Sequence, residues 1–340
     1  MKDQLLLAGD IGGTKTLMGL FSIEKGPLKP VVEQSYASSS FADLDSIIDD
    51  FLQQSDISIS HACFGVAGPV VNGRAKITKL PWQLVESELQ AKHSFASLQL
   101  INDLVATGYG LPFLENKDLL ILNEGNKEKT GAIGIIAPGT GLGEAIFGWT
   151  GSEYMAIPSE GGHTDFAPTN DLEMELLRFL LGQYDHVSYD RLCSGKGIPE
   201  IYDFLKAGDK FAEPAWLAEK LAAAEDRAPL IINTALDDQL ECSLCQATLD
   251  TFVSILGAEA GNLALMGLTT GGIYLGGGIP ARILPGLPKK LFMASFTGKG
   301  RMAYLLDNIP VKVILNPKAA LIGAAAHGLQ TLKKQGLQNS

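Results

Sequence analysis

The chain has 340 residues, of which 46% are hydrophobic and 19% charged, as expected for a globular protein of roughly two domains with a sizeable core. Its formal net charge of −11 argues against non-specific nucleic-acid binding, which needs a basic face. An anionic ligand must therefore be held locally, by backbone amides and a metal ion.

The sequence also predicts a cytoplasmic protein with no membrane contact. The first apolar run, Leu5–Ala8, is too short for a signal peptide, and no apolar run reaches membrane-spanning length. Of the four cysteines, only Cys242 and Cys245 have metal-ligand spacing. Because no second pair and no nearby histidine accompanies them, we expect two small apolar residues early in a long helix rather than a zinc site.

The N-terminal third is predicted to run β-β-β-α-β, followed by one more strand and helix. Helical spacing of its apolar residues predicts one buried helix face, formed by Leu44, Ile47, Ile48 and Phe51. The predicted strands are Gln4–Ala8, Thr16–Ile23, Val31–Tyr36, Ser58–Val66 and Ser97–Asn102, and the predicted helices are Asp43–Gln54 and Asp103–Gly110.

The remainder of the chain is richer in helix. Asn170 or Asp171 could cap the first of these helices, because both residue types are favoured at that position. The predicted helices are Leu172–Tyr184, Ala215–Ala224, Leu230–Leu236, Thr248–Leu268 and Lys318–Lys334, and the predicted strands are Ala132–Ala137, Ala145–Trp149, Ile273–Leu275 and Val311–Leu315.

A glycine-threonine loop occurs twice, each time between two apolar, strand-like runs. The copies are Gly9-Asp10-Ile11-Gly12-Gly13-Thr14 and Pro138-Gly139-Thr140-Gly141-Leu142-Gly143, and each is predicted to be the tip of a β-hairpin. Neither opens a helix, so neither is a Walker A loop or a dinucleotide fingerprint. Either copy alone favours an ordinary glycine-rich turn. The presence of both copies favours a binding site in which the two loops bind one polyphosphate from opposite sides. Such a site indicates a nucleotide-dependent enzyme and above all a kinase.

Asp10 gives the first loop a carboxylate that can hold Mg²⁺, directly or through water. A second carboxylate, Asp103, follows Asn102 where a predicted strand ends and a helix begins, and ligands bind at such strand ends in open α/β sheets. Asp103 could take a proton from a sugar hydroxyl as it attacks phosphorus. The pair Asn102-Asp103 could equally be a helix cap.

Three further segments carry candidate binding residues. In Glu160-Gly161-Gly162-His163, a carboxylate and an imidazole held by a tight turn suit vicinal hydroxyls, the alternative being a surface turn. Asp190 could add a carboxylate to the sugar site, or it could cap a helix or pair with Arg191. Gly277, in the cluster Gly276–Pro280, could bring backbone close to adenine or ribose, or could serve a tight strand-to-helix turn.

The repeated hairpin indicates a duplication and predicts two similar half-folds with a cleft between them. We expect a small α/β domain of residues 1–112 plus about 318–336, and a large α/β domain of residues 113–317.

Taken together, these motifs resemble the bacterial ATP-dependent glucokinases, within the actin, hexokinase and Hsp70 ATPase superfamily. The resemblance runs nearly end to end and implies two RNase H-like (actin-like ATPase) domains closing around the substrates. It implies that Asp103 is the base on the sugar 6-hydroxyl, and that both loops hold the phosphates of Mg-ATP. It also implies a homodimer. The residues that it assigns to the sugar hydroxyls are Asn102, Asp103, Glu160, His163 and Asp190.

The sequence departs from the family pattern in several places. Asp190 stands where the family usually has Glu, Lys15 and Leu17 where it tends to have Asn and Arg, and Lys79 where it has Asn. With Lys15, the first loop is similar to that of the ROK sugar kinases. That group carries a cysteine-rich zinc motif after its Glu-x-Gly-His element, and no such motif follows His163 here. The alternatives are a kinase for mannose, fructose or an N-acetylhexosamine, and a sugar-sensing regulator or actin-like ATPase without sugar transfer.

Overall fold

The computed structural model describes residues 5–53, 59–208, 210–283, 289–334 and 336. The chain forms two compact units: one runs through Asp118 and resumes at Asn316, and the other is Leu119–Leu315. Three predicted element ends, at Gln4, Gln54 and Ser58, lie outside the described residues.

The first unit contains a five-stranded sheet, a small three-stranded sheet and four helices among its described residues. Its elements are β1 (Leu5–Ile11), β2 (Lys15–Ser22), β3 (Val32–Ala37), α1 (Leu44–Gln53), β4 (His61–Val66), β5 (Val70–Val71), β6 (Arg74–Lys76), β7 (Gln83–Val85), α2 (Glu86–Lys92), β8 (Ser97–Asn102) and α3 (Asp103–Gly110), with the last helix of the chain, Ala319–Lys334, completing it.

The second unit contains a six-stranded sheet and a larger share of helix. Its elements are β9 (Leu119–Asn123), β10 (Ile133–Pro138), β11 (Leu142–Trp149), β12 (Tyr154–Ile157), α4 (Asp171–Leu181), α5 (Tyr189–Leu192), α6 (Gly197–Ala207), α7 (Ala215–Ala223), α8 (Ala228–Leu236), α9 (Ser243–Gly267), β13 (Gly272–Leu275), α10 (Gly278–Ile283), α11 (Lys289–Thr297), α12 (Ala303–Leu306) and β14 (Val311–Ile314). The helix Ala319–Lys334 of the first unit is then α13.

Both units repeat one sheet plan. In the first, the order is β3-β2-β1-β4-β8, with an antiparallel meander on one side of β1 and parallel strands on the other. In the second, β12-β11-β10-β13-β14 has the same order and directions, and β9 adds an antiparallel edge strand. The two similar half-folds expected from the repeated loop are therefore present.

Each unit has its own apolar core. In the first, the predicted face of α1 is buried, because Leu44, Ile47, Ile48 and Phe51 are all at most 1% exposed. In the second, α9 runs through the core with residues buried on every side. Among the helices that the structure describes, none combines enough length with enough apolar sequence to cross a bilayer.

Some elements differ from the sequence-based prediction. Helix α9 begins at Ser243, five residues before its predicted start, so that Cys242 directly precedes it and Cys245 lies in its first turn. Two threonines are accommodated within it because their hydroxyls donate to the carbonyl four residues back, Thr248 to Leu244 and Thr251 to Ala247. The elements missed altogether include β5–β7, β9, β12, α2, α6 and α10–α12, most of which are short and weakly periodic.

Candidate active site

The first loop is the tip of a hairpin, as predicted, because β1 and β2 pair antiparallel from Leu5–Ser22 to Ile11–Thr16. The Gly12 N–H donates to the Lys15 carbonyl at 3.0 Å and closes the turn. Ser38 supports it from the next segment: its hydroxyl donates to the Gly12 carbonyl at 2.7 Å, and its N–H donates to the Thr14 carbonyl at 3.1 Å. The loop is thus held by backbone groups, which leaves Asp10 and the exposed Thr14 side chain available to a ligand.

Gly13 must be glycine because the chain crosses it closely. A Cβ at Gly13 would overlap the Thr78 carbonyl oxygen and would lie 3.4 Å from the Lys79 Cβ. Lys79 itself has a left-handed backbone, with φ of 69°. The segment Thr78-Lys79, which departs from the family pattern, therefore lies directly against the first loop.

Sheet register brings Asp103 to the same edge as this loop. The parallel strands pair Ile11 with Val66 and Val66 with Asn102, so that β1, β4 and β8 end together. Gly65 on the central strand permits the approach, since a Cβ there would lie 2.9 Å from the Ala106 Cβ of α3. The structure thus groups Gly9–Thr14, Asn102 and Asp103 within the first unit.

Asn102 is the N-cap of α3, which confirms the structural alternative for this residue. Its Oδ1 accepts from the N–H groups of Leu104 at 2.9 Å and Val105 at 3.2 Å, and its Nδ2 donates to the Gly68 carbonyl at 3.1 Å. Asp103 is the first helical residue, and its Oδ1 also accepts from Leu104 N–H at 2.9 Å. The cap fixes the start of α3 and hence the position of the Asp103 carboxyl.

The two carboxyls at this edge are less acidic than usual. Burial, together with the nearby charge of Asp103, raises the pKa of Asp10 to about 7, although the charge of Lys15 opposes the shift. Burial likewise raises the pKa of Asp103 to about 6, against hydrogen bonds that favour its ionised form. A carboxyl with a pKa near neutrality is suited to proton transfer, and two adjacent acids suit a cation.

The second loop is also a hairpin tip, between β10 and β11, which pair antiparallel from Ile133–Phe147 to Pro138–Leu142. Its turn is closed by Gly139 N–H donating to the Gly141 carbonyl at 2.8 Å, and Gly195 N–H donates to the Gly139 carbonyl at 2.8 Å. Thr140 is half-buried at the tip.

Gly277 lies against the second loop. It follows β13, has φ of 81°, and a Cβ there would lie 2.5 Å from the Pro138 carbonyl oxygen. Both the left-handed backbone and the close approach require glycine at this position. Gly277 is exposed, so its backbone is accessible to a ligand that reaches the loop.

The segment Glu160–His163 folds against the strand that follows the second loop. Gly161–His163 forms one 3₁₀ turn, and a Cβ at Gly162 would overlap the Leu142 carbonyl oxygen. The turn continues into Thr164–Phe166, which pairs with the segment before α5 through Phe166 N–H to the Val187 carbonyl at 2.9 Å. The side chains of Glu160 and His163 are exposed, as ligand-binding groups must be.

Asp190 has neither of the structural roles considered for it. Ser188 caps α5, and the guanidinium of Arg191 lies 3.9 Å from the ring centroid of Tyr184. The Oδ1 of Asp190 instead accepts a hydrogen bond from Leu142 N–H at 2.6 Å and lies against Gly141. Asp190 therefore ties α5 to the second loop, and the structure groups it with Gly139–Gly141, Glu160, His163 and Gly277 in the second unit.

Known proteins match this chain almost throughout. A family model described as Glucokinase matches residues 7–331. The chain is 42% identical to the glucokinase of Trichormus variabilis over 335 residues, covering 94% of this chain and 98% of the relative. The chain belongs to the glucokinase family.

Solved structures of glucokinases have the same fold. A glucokinase from an Antarctic psychrotroph matches with a TM-score of 0.81 and 31% identity, covering 96% of this chain and 99% of that one. The glucokinase of Balamuthia mandrillaris in complex with glucose matches with a TM-score of 0.78 and 21% identity, covering 96% and 94%. The two actin-like ATPase domains expected from the sequence are thus the glucokinase fold, and the chain is an ATP-dependent hexose kinase by family.

Sequence reasoning missed residues that act on the site through other residues. Ser38 and Thr78 shape the first loop from segments distant in the chain, and no local pattern marks them. Glu144 follows the second loop and directly precedes the predicted strand Ala145–Trp149, but the structure places it inside β11. A buried acidic residue in a strand is rare, so Glu144 could have been noticed as a candidate functional residue.

Proposed function

We propose that this protein transfers the γ-phosphoryl group of ATP to the 6-hydroxyl of D-glucose, giving glucose 6-phosphate and ADP. The observation that carries the proposal is the Asp103 carboxyl, fixed at a strand edge beside the first loop and with its pKa raised to about 6. Membership of the glucokinase family supports the choice of glucose and ATP.

In the proposed reaction, Asp103 accepts the proton of the sugar 6-hydroxyl as that oxygen forms its bond to the γ-phosphorus. The bond from the γ-phosphorus to the β,γ-bridging oxygen breaks, and ADP leaves. A base of this kind contributes roughly 10²–10⁴-fold to the rate. Asn102 positions Asp103 through the α3 cap, and its side chain, with Glu160, His163 and Asp190, binds the other sugar hydroxyls.

The glycine loops supply N–H groups to the phosphates: Gly9–Thr14 from the first hairpin and Gly139–Gly141 from the second, with Gly277 beside the adenosine. Asp10 fits a Mg²⁺ ion, bound directly or through water, because its carboxyl lies close enough to Asp103 to feel its charge, and a cation would offset that repulsion. Such an ion would neutralise phosphate charge. We further propose a cytoplasmic homodimer, supported by the family resemblance; light scattering should give twice the chain mass of 36.2 kDa.

A coupled kinase assay tests the proposal with glucose, mannose, fructose and N-acetylglucosamine at varied Mg²⁺. Glucose should give the highest kcat/KM, and activity should vanish in a chelator. Asp103→Asn should lower kcat by about 10²-fold or more while sugar affinity stays within about tenfold, because the amide can hydrogen-bond but cannot accept the proton.

Asp171→Asn is the matched control, because Asp171 also follows an Asn N-cap at the first position of a helix. It should leave kcat unchanged. Retention by Asp103→Asn of more than about a tenth of the wild-type kcat contradicts the general-base role. A higher kcat/KM for another hexose contradicts the assignment of glucose and leaves a hexose kinase of different specificity.

A further inference from the structure

Two carboxyl side chains face each other inside the second unit. Glu144 on β11 is 4% exposed and Glu259 on α9 is 1% exposed. Among the described residues, no N–H group or hydroxyl donates to either oxygen of Glu144 or to Oε1 of Glu259, and the two carboxyls are within hydrogen-bonding reach of each other. A buried pair of ionised carboxylates would be strongly unfavourable, whereas a retained proton lets one carboxyl donate to the other.

The described groups around the pair include one cation, Lys299, which it shares with a further acid, Glu173. Asn262 Nδ2 donates to Glu259 Oε2 at 2.8 Å and is 3.0 Å from the Tyr189 hydroxyl of α5. Lys299 Nζ donates to Asn262 Oδ1 at 2.6 Å and is the cation that acts on Glu259. Glu173 on α4 and the Cys193 thiol also interact with this region, so one ammonium faces several acids.

The pair supports two elements that carry proposed sugar ligands. A Cβ at Gly161 would overlap Oε2 of Glu144, so the backbone of the turn that carries Glu160 and His163 rests directly on this carboxyl. Tyr189, which contacts the network through Asn262, immediately precedes Asp190. A charge on both carboxyls would repel Glu144 from Glu259 and move the surface on which the turn lies.

We propose that Glu144 and Glu259 share one proton, and that this pair is a positioning group that holds the Glu160–His163 turn and α5 in their sugar-binding arrangement. The inference rests on the proposed function for its effect on glucose, and on the buried geometry alone for the shared proton.

The direction of the acid–base equilibrium agrees with this arrangement. Burial raises the pKa of Glu144, and the charge of Glu259 raises it further; burial also raises the pKa of Glu259. An acid whose folded pKa is raised binds more protons when folded than when unfolded, at every pH between the two values. Stability is therefore lost as the pH rises from the ordinary glutamate pKa of 4.5 towards the folded value.

Glu144→Gln tests the shared proton, since an amide can donate permanently but does not titrate. The midpoint of urea unfolding, compared from pH 5 to pH 9, should fall with pH less steeply in Glu144→Gln than in wild type. Infrared spectra at pH 7 should contain one more protonated carboxyl stretch in wild type than in Glu144→Gln, beside the stretch of partly protonated Asp10 that both proteins share. Glu175→Gln on the exposed face of α4 is the matched control and should behave as wild type in both measurements.

Kinetics test the positioning role. Glu144→Ala should raise the KM for glucose by about tenfold with kcat changed less, because the turn loses its support and Glu259 loses its partner, and Glu144→Gln should restore most of the KM. In wild type, the KM for glucose should rise above pH 8, and in Glu144→Gln it should stay flat.

Parallel unfolding curves of wild type and Glu144→Gln across this pH range, with no lost carboxyl stretch, overturn the shared proton. Equal KM values for wild type and Glu144→Ala overturn the positioning role. Absence of glucose phosphorylation in wild type contradicts the proposed function instead, and in that case the unfolding and infrared differences still decide whether the proton is shared.

Discussion

Asp103 combines three properties of a catalytic base in one residue: a fixed position at the start of α3, a location beside the first loop, and a pKa raised by burial. The sequence predicted its place at a strand end but left the base and the cap equally open. In the structure Asn102 makes the cap and Asp103 follows it, and the base role of Asp103 stays a prediction. The raised pKa could not be predicted, since it depends on burial by β1 and β4.

A pH–rate profile should show this pKa directly. Only ionised Asp103 can accept the hydroxyl proton, so kcat/KM for glucose should fall as the pH drops through about 6, the raised pKa of this carboxyl. Initial rates at saturating Mg-ATP from pH 5 to pH 8 measure this limb. A profile that stays flat down to pH 5 would mean that no carboxyl with a raised pKa limits the reaction.

The hydrogen-bond partner of Asp190 could not be predicted from the neighbouring sequence. Its neighbours suggested a cap or an ion pair with Arg191, but its partner is Leu142, 48 residues earlier in the chain. Such a contact follows from tertiary packing of α5 on the second loop, and no spacing in the sequence encodes it.

At the scale of elements, the strands of the first five-stranded sheet and the helices α1 and α3 were predicted closely, because their apolar periodicity is strong. The prediction of β8 and α3 matches the structure at both ends. The small strands β5–β7 were missed because they span two or three residues each, too few for a period to show. They nevertheless position Thr78 and Lys79 against the first loop.

Packing of α13 on α3 depends on two glycines, Gly110 of α3 and Gly323 of α13, because a Cβ on either would run into backbone atoms of the other helix. A Cβ at Gly323 would overlap the Ala106 carbonyl oxygen and would lie 2.7 Å from Gly110 N, both backbone atoms that cannot move aside. Gly323→Ala should therefore lower the free energy of unfolding by about 2 kcal/mol, the upper end of the usual cost of overpacking, about 3 kcal/mol, less the helix-propensity gain of alanine, about 1 kcal/mol. Urea unfolding followed by far-ultraviolet circular dichroism measures the change.

Gly328→Ala, on the same helix, is the matched control. Its Cβ would meet side-chain atoms only, the ends of Leu6 at 2.7 and 3.1 Å and the Cys63 Cβ at 3.0 Å, and none of these three nearest atoms belongs to the backbone. The loss should be clearly smaller than that of Gly323→Ala. A Gly323→Ala variant as stable as wild type would show that α3 and α13 can separate without cost, against the close backbone contact seen here.

At the scale of the whole molecule, the repeat in the sequence and the repeat in the fold agree. Two short glycine-threonine loops predicted two half-folds, and both sheets have the same strand order and directions. What the repeat could not predict is that each unit holds a pair of acids with raised pKa values near its loop: the partly buried Asp10 with Asp103 in the first, and the buried Glu144 with Glu259 in the second. Burial depends on the packed fold, so composition and net charge carry no trace of it.

These four acids should dominate the pH dependence of stability. All have raised pKa values, so between about pH 4 and those values the unfolded chain binds fewer protons than the folded one, and raising the pH favours unfolding. His61, whose pKa is lowered by burial, acts in the opposite direction but is a single group. Each pKa unit by which a folded acid is raised corresponds to about 1.4 kcal/mol of stability that is lost as the pH rises. Between pH 5 and pH 8, Asp10 alone spans about two such units, up to its pKa of about 7. In a chelator, the free energy of unfolding should therefore fall by at least about 2 kcal/mol from pH 5 to pH 8.

The fall in the free energy of unfolding should occur in both units, and tryptophan fluorescence can report on each unit separately. Trp82 is the only tryptophan of the first unit and is buried, whereas Trp149 and Trp216 belong to the second. With Trp149 and Trp216 replaced by Phe, fluorescence follows the first unit alone, while circular dichroism follows the whole chain. Asp103→Asn should make the fluorescence-detected dependence less steep, since Asp10 keeps the pKa shift caused by its burial. It should leave the part of the circular dichroism signal that comes from the second unit unchanged. A free energy that is constant or rises from pH 5 to pH 8 in both signals would mean that the acids are solvated in the native protein, contrary to their burial in the fold.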